Sequence, residues 1–492
     1  MSEQKSEQSS GKNSADPMEP TATRPPATPG APPHPTAAAP TGTPAAVRPG
    51  PEATTAPAGT PAAVQPGPAS AAAPAAPRSG RHVVIVGAGM AGVQTAVALR
   101  EQGFTGPVTL IGAEPHQPYD RPPLSKAVLL GKAEDSAFDI DFEDLGVELR
   151  LGVEVTGLRA ADHEVDTEAG PVPYDTLVVA TGAHPLTLPG SEGVPGVHLL
   201  RTLDDAARLK PVLERRHDIV VVGAGWIGAE FATAAREAGC AVTVVEAADR
   251  PLPGALPAEV TAPMAAWYAE SGTELRLHAR VRQVEEGRVV LDEDATGSEA
   301  SAAPAASTAP RELPADAVVV GIGARPATGW LAGSGVALDP SGAVTADDRL
   351  RASLPDVYAV GDCASFPSAR YGERLLVHHW DNALQGPRTV AADILGEAPA
   401  PYDPVPYFWS EQFGRFVQYA GHHGAADTLL WRGDPADEAW TVLWLRGDAL
   451  VALLAVGRPR DLAQGRRLIE HGTPVDPERA ADPSVPLKAA VR

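Results

Sequence analysis

Short unbroken apolar runs punctuate the chain after residue 80. VVIV at Val83–Val86 and the core of PVTLIG (107–112) each have the length of a strand buried on both faces, and a helix-compatible segment ending at Gly103 lies between them. The plan recurs 136 residues later: a strand at Ile219–Val222, a helix stopped at Gly239, then a strand AVTVV at 241–245. Strand, helix and strand in this order predict two units of an α/β fold, and each stop glycine suits a left-handed C-terminal cap. Residues 1–80 read differently. They contain no Phe, Trp or Tyr and hold 18 of the 51 prolines, so they are expected to be a disordered tail that cannot bury enough apolar surface to offset ordering. Within them GTPAAVRPGP (42–51) recurs as GTPAAVQPGP (59–68), a 17-residue period that points to tract duplication.

Each strand-to-helix turn carries G-x-G-x-x-G: Gly87, Gly89 and Gly92 in the first, Gly223, Gly225 and Gly228 in the second. One glycine permits the tight turn, one lets the backbone approach a pyrophosphate, and one lets helix and strand pack closely, with the phosphates at the helix N-terminus. A lone motif of this kind is weak, but two strand-flanked copies, each followed by an acid past the second strand, predict two dinucleotide sites. Glu246 ends its strand directly and is placed to accept from a ribose 2′-OH, where a 2′-phosphate would be repelled; this favours NADH over NADPH, with Arg250 four residues on as a counter-signal. Glu114 is displaced from its strand by two residues, so its ribose contact is less direct. Glu230 is the unexpected residue: an acid in the first helical turn after a loop built to receive anions.

Composition narrows the class. The tail carries five acidic and five basic residues, so the net charge of −22 belongs to the rest of the chain and disfavours a nucleic-acid role. Cys240 and Cys363 stand far apart in no redox or metal-ligand spacing, and His378 and His379 lack a third ligand at sensible spacing, so no metal is expected. No apolar run approaches membrane-spanning length and no signal pattern opens the chain, which leads to the expectation of a soluble, cytoplasmic protein.

Three further stretches, YDRPPLSK (119–126), YDTLVVATGAHP (174–185) and LPDVYAVGDCA (354–364), decide which two-dinucleotide family the chain resembles. With the doubled glycine loops they are similar to the FAD-dependent, NADH-dependent ferredoxin reductases of bacterial oxygenase systems, the putidaredoxin reductase and biphenyl dioxygenase ferredoxin reductase type, within the glutathione-reductase-like flavoproteins. HHWDNALQGPRTVAADILG (378–396), PYFWSEQFGRFVQYAG (406–421) and RPRDLAQGRRLI (458–469) extend the resemblance to the C-terminus. It implies an FAD-binding domain at 81–188 and 327–398, an NADH-binding domain at 189–326 with a low-complexity insertion at 292–313, and a C-terminal α/β reductase domain at 399–492.

The same resemblance assigns roles. Gly87, Gly89, Gly92, Glu114, Arg121, Lys126, Thr181, Gly182, Asp362 and Trp380 would bind FAD; Gly223, Gly225, Gly228 and Glu246 would bind NADH. Lys126 would lie by the flavin and pair with Glu230, and Trp380 would shield the ring on the route to an acceptor. Thr181 and Gly182 would mark a crossing point where close backbone approach demands a small residue. Ala352 departs from the threonine usual in relatives, removing one hydroxyl contact. The implied acceptor is a [2Fe–2S] ferredoxin serving a terminal oxygenase, the implied assembly a monomer or weak homodimer, and the candidate docking cations Arg458, Arg460, Arg466, Arg467, Arg370 and Arg374. An NADH oxidase, a rubredoxin reductase, or a binding flavoprotein resembling apoptosis-inducing factor are the alternatives.

Overall fold

The computed structural model describes residues 80–292 and 311–492; the expected disordered tail and most of the low-complexity insertion lie outside the described residues. Three five-stranded sheets organise the described chain. The first is parallel, in spatial order Val357–Ala359, Thr176–Val179, Val83–Val86, Val108–Gly112 and Val147–Leu151. Its central strand is apolar throughout because both of its faces are covered, and Val83, Val84 and Ile85 are fully buried. The chain moves outward on one side of this strand and then returns to the other, which leaves a crevice at the carboxyl ends of the strands where the order reverses.

The second sheet repeats the plan: Glu274–Arg276, Ala241–Val245, Asp218–Val222, Ala317–Val320 and Val197–His198, all parallel. Both helices that follow the glycine turns, Met90–Glu101 and Trp226–Glu237, stop where expected, with Gly103 at φ 91° and Gly239 at φ 88°. The two sheets are joined by an antiparallel pair of short strands, Ala183–Pro185 and Ala324–Pro326. The insertion is narrower than the sequence suggests, since Glu312–Pro314 is a strand paired with Arg288–Leu291.

The third sheet is antiparallel, in order Tyr407–Gln412, Arg415–Gly421, Ala449–Val456, Trp440–Arg446 and Thr428–Arg432, with the helix Pro459–His471 packed on it. An ion pair lies inside this unit. Arg432, 1% exposed, gives Nε to Asp461 Oδ2 at 2.9 Å, and Arg458 Nε reaches the same oxygen at 2.9 Å. Burial raises the Asp461 pKa and the two guanidinium groups outweigh it, so the carboxyl is held below its ordinary value. Among the described residues no helix is long and apolar enough to cross a membrane.

Candidate functional site

The glycine loops set the site's geometry. At Gly87, φ is 110° and a Cβ would strike the Ala180 carbonyl oxygen and come within 2.9 Å of Thr181 Cα, so the first loop is locked against the strand end that carries ATG. Gly92 and Gly228 make the equivalent close contacts with the carbonyls of Gly87 and Gly223, and a Cβ on Gly223 would lie 2.5 Å from Gly321 O. Gly89 is different. It is the extended N-cap of its helix, and a Cβ added there would meet nothing within 4 Å among the described residues, so the helix N-terminus opens onto free space. Gly225 caps the second helix in the same extended conformation.

A cleft of about 1220 Å³ runs between the loops. Eleven of the residues singled out from the sequence line it: Gly87, Gly89, Glu114, Arg121, Lys126, Thr181, Gly182, Gly225, Glu230, Asp362 and Trp380. Gly92, Gly223, Gly228 and Glu246 stand behind it as supports. Glu246 accepts from the Ala224 N–H at 2.8 Å and the Ala248 N–H at 2.9 Å, so it braces the second glycine loop. Glu114 accepts from Arg121 Nη2 at 2.6 Å and from the Tyr119 hydroxyl at 2.5 Å. Burial first, with Glu114 adding to it and Arg121 opposing, pushes the Tyr119 pKa up to about 12. A carboxylate has about four acceptor positions, so each acid keeps capacity for a ribose.

In the lining of the cleft, Lys126 Nζ donates to Glu230 Oε2 at 2.7 Å, and the Ser125 hydroxyl donates to the same oxygen at 2.7 Å. Glu230 is 6% exposed, so the acid in the second loop's helix faces the cation of the first sheet's RPPLSK segment. Trp380 opens its helix and donates Nε1 to Asp120 Oδ1 at 2.8 Å; its ring meets Trp409 edge-on at 5.7 Å. Gly182 has a reason other than the close approach expected of it. A Cβ there would be 3.6 Å from Arg201 Nη2, an ordinary contact, and glycine is required instead by φ of 69°.

Several contributors carry no local sequence signal. Arg201 gives Nη2 to Asp362 Oδ2 at 3.2 Å and Nε to Ala183 O at 3.1 Å, while its own carbonyl accepts from Arg121 Nη1 at 2.7 Å. Only the neighbouring Thr202-x-x-Asp205 capping box is visible as a pattern. His379 lies half-buried against Phe408, ring centroids 4.4 Å apart, and desolvation lowers its pKa to about 4, so it is neutral at pH 7. The Thr181 hydroxyl, His378 Nε2 and Trp330 Nε1 are buried polar atoms with no hydrogen-bond partner among the described residues, and all three residues line the cleft. Orphans of this kind, beside an open helix N-cap, fit a large polar ligand with phosphate and ring edges to satisfy.

Neither cysteine lines the cleft. Cys240 and Cys363 are free and buried, burial raises both thiol pKa values, and Cys363 Sγ donates to Val360 O at 3.3 Å. Among the described residues no group of three or more His, Cys, Asp or Glu stands together to hold a metal.

Two parallel sheets with paired glycine loops converging on one cleft define a class. The family model described as pyridine nucleotide-disulphide oxidoreductase matches residues 81–386, and one described as reductase C-terminal matches 407–491. The chain belongs to the pyridine nucleotide-disulphide oxidoreductase family, with two dinucleotide-binding domains and a C-terminal α/β domain. Within it, the chain is 35% identical over 416 residues to rhodocoxin reductase of Rhodococcus erythropolis, covering 83% of this chain and 94% of that protein. Among solved structures it is similar to that of Fdr9, at TM-score 0.75 and 43% identity over 83% of this chain and 99% of the other. It is similar also to the covalent putidaredoxin reductase-putidaredoxin complex, at TM-score 0.77 and 32% identity over 84% of this chain and 98% of the other.

Proposed function

We propose that the protein is an FAD-dependent NADH:ferredoxin oxidoreductase that passes single electrons to a [2Fe–2S] ferredoxin serving an oxygenase. The observation that carries this reading is the meeting of both glycine loops on one cleft, with a half-buried Lys126 paired to a buried Glu230 where they converge. Segments 81–188 and 327–398 hold FAD, 189–326 bind NADH, and 399–492 close over the cleft. FAD when bound supplies the conversion from the two electrons that NADH gives together to the one that an iron–sulfur cluster takes.

The chain's own groups do the rest. Gly87, Gly89 and Gly92 present the first helix N-terminus to the FAD pyrophosphate, and Glu114, Arg121, Thr181, Gly182, Asp362 and Trp380 supply its other contacts. Gly223, Gly225 and Gly228 do the same for the visiting coenzyme. Glu246 accepts from its ribose 2′-OH and repels a 2′-phosphate, which selects NADH. Glu230 holds Lys126 in place through a 2.7 Å contact, while neutral His379 and the rings of Phe408 and Trp380 keep water from the reacting face.

Docking of an acidic ferredoxin needs local positive charge on a protein whose net charge is −22. Four of the six candidate arginines are tied down. Arg458 is held by Asp461, Arg466 by Asp381 and over the Tyr407 ring, Arg370 by the Ile469 and Glu470 carbonyls, and Arg374 by the Ala346 and Ser365 carbonyls. Arg460 and Arg467 are exposed on one helix with no side-chain partner among the described residues, and they form the docking pair we assign.

The test is anaerobic mixing of FAD-loaded protein with NADH or NADPH. Bleaching of the flavin band by NADH at least about tenfold faster than by NADPH is expected from a repelled 2′-phosphate. Preference for NADPH would refute the reading of Glu246.

A further inference from the structure

One strand of the C-terminal unit lines the cleft with Phe408 and Trp409. Tyr407–Gln412 lies against the helix Trp226–Glu237 that follows the second glycine loop. Trp226, Glu230 and Thr233 are spaced so as to share one face of that helix, and each meets a residue of the strand or its turn. Phe408 packs on Trp226 with ring centroids 4.7 Å apart, Ser410 Oγ donates to Glu230 Oε1 at 2.8 Å, and the Phe413 N–H donates to Thr233 Oγ1 at 2.9 Å.

The strand's depth is enforced by its turn. Phe413 and Gly414 have φ of 49° and 78°, the two positive angles of a tight two-residue hairpin turn. A bulky residue rarely adopts this conformation, and here it aims the Phe413 ring at Tyr268, 4.5 Å away. The second sheet's unit is therefore gripped at the helix face and at Tyr268 by the same hairpin.

The carboxylate of Glu230 is shared between units. Oε2 faces Ser125 and Lys126; Oε1 receives Ser410 Oγ at 2.8 Å and the Glu411 N–H only at 3.4 Å. Without the serine hydroxyl, Oε1 would keep one long contact and the carboxylate would be free to turn about its terminal bond. Gln412 Nε2 donates to Ser410 Oγ at 3.2 Å, which commits the serine proton to Glu230. Ser410 is 1% exposed, so water does not replace it.

We infer that Ser410, from the C-terminal domain, is a positioning residue for reduction of the bound flavin. It fixes Glu230, and through Glu230 the Lys126 ammonium, so that the site is assembled only when all three domains are docked. This rests on the oxidoreductase reading above.

The test is Ser410→Ala and Ser410→Thr, alone and combined with Lys126→Met, in the FAD-loaded full chain. Loss of a hydrogen bond to a charged group predicts that Ser410→Ala lowers the limiting rate of flavin reduction by about tenfold, a factor worth about 1.4 kcal/mol, with the NADH dissociation constant nearly unchanged. Ser410→Thr restores most of the rate, and Ser410→Ala adds no further loss to Lys126→Met. In thermal unfolding, where no turnover is involved, the Ser410→Ala and Lys126→Met shifts are non-additive because both act on Glu230. A Ser410→Ala protein as fast as the parent, a threonine variant as slow as the alanine one, or additive thermal shifts would each overturn the assignment. If NADH fails to reduce the parent protein, the functional reading falls, and the thermal cycle still decides whether Ser410 acts on the Lys126–Glu230 pair.

Discussion

Replacing Glu230 by glutamine isolates charge from shape. The ammonium of Lys126 can only donate, so the amide oxygen must take the Oε2 position, 2.7 Å from Nζ, and the amide nitrogen must face Ser410 and the Glu411 N–H. Both ends then suffer, because Lys126 loses its counter-charge and two donors confront each other at the Glu411 amide. Breaking a buried ion pair costs about 3–5 kcal/mol, but Lys126 remains 22% exposed, and solvent lowers the expected loss of stability to roughly 2 kcal/mol. The limiting rate of flavin reduction should fall about 10- to 100-fold as Lys126 loses its fixed place, each tenfold step being ~1.4 kcal/mol. FAD content should be unchanged, since the first glycine loop and Asp362 do not touch Glu230. Stopped-flow absorbance with NADH, alongside the flavin-to-protein ratio and the thermal midpoint, reads all three. A variant reduced at the parental rate, or one that simply loses FAD, would refute the role given to the pair.

Further expectations follow from the same contacts. Gly89→Val should fold and purify without FAD, because its side chain enters open space at an unstrained φ of −82°; Gly87→Ala should yield little folded protein, because its Cβ meets the Ala180 carbonyl. Glu246→Ala removes both the ribose acceptor and the brace on the Ala224 and Ala248 amides, so KM for NADH should rise about tenfold or more in steady-state ferricyanide assays. Arg460→Glu with Arg467→Glu should weaken ferredoxin-dependent turnover, increasingly at low salt, and spare NADH–ferricyanide turnover; equal loss in both assays would sink the docking assignment. His379 is half-buried and neutral, with its pKa lowered to about 4, so the unfolded chain takes up its proton first and stability is lost as pH falls from about 6.5 towards 4. Facing the cleft tempers the effect to at most about 3 kcal/mol, and His379→Phe should flatten the thermal midpoint over that range. Asp461 adds a separate acid limb: its folded pKa is lowered, so its contribution is present above about pH 4 and disappears below it.

The first and second sheets were legible because their signals are local: an apolar run, a glycine turn and a stop glycine each report a backbone requirement within a few residues. The expectation of paired sites followed from repetition of that plan. Lys126 and Glu230 were found by resemblance and meet in the structure, although 104 residues separate them. Ser410 was not found, since it lies 180 residues from Glu230 and a serine in a strand has no spacing that announces a carboxylate partner. Arg201 was hidden for the same reason, its tie to Asp362 spanning 161 residues. Gly182 meets a positive φ rather than a close approach, two requirements that read alike as glycine in a sequence. The arginine-rich RPRDLAQGRRLI stretch shows the converse limit: composition marked a cationic surface, yet Arg458 and Arg466 spend their charge on Asp461 and Asp381.

Electron stoichiometry tests the central claim most directly. FAD-loaded protein reduced anaerobically with one equivalent of NADH, then mixed with a [2Fe–2S] ferredoxin, should reduce two equivalents of the iron–sulfur protein at one electron each. Flavin that stays reduced in the presence of the ferredoxin, or that is reoxidised only on admission of oxygen, would contradict it.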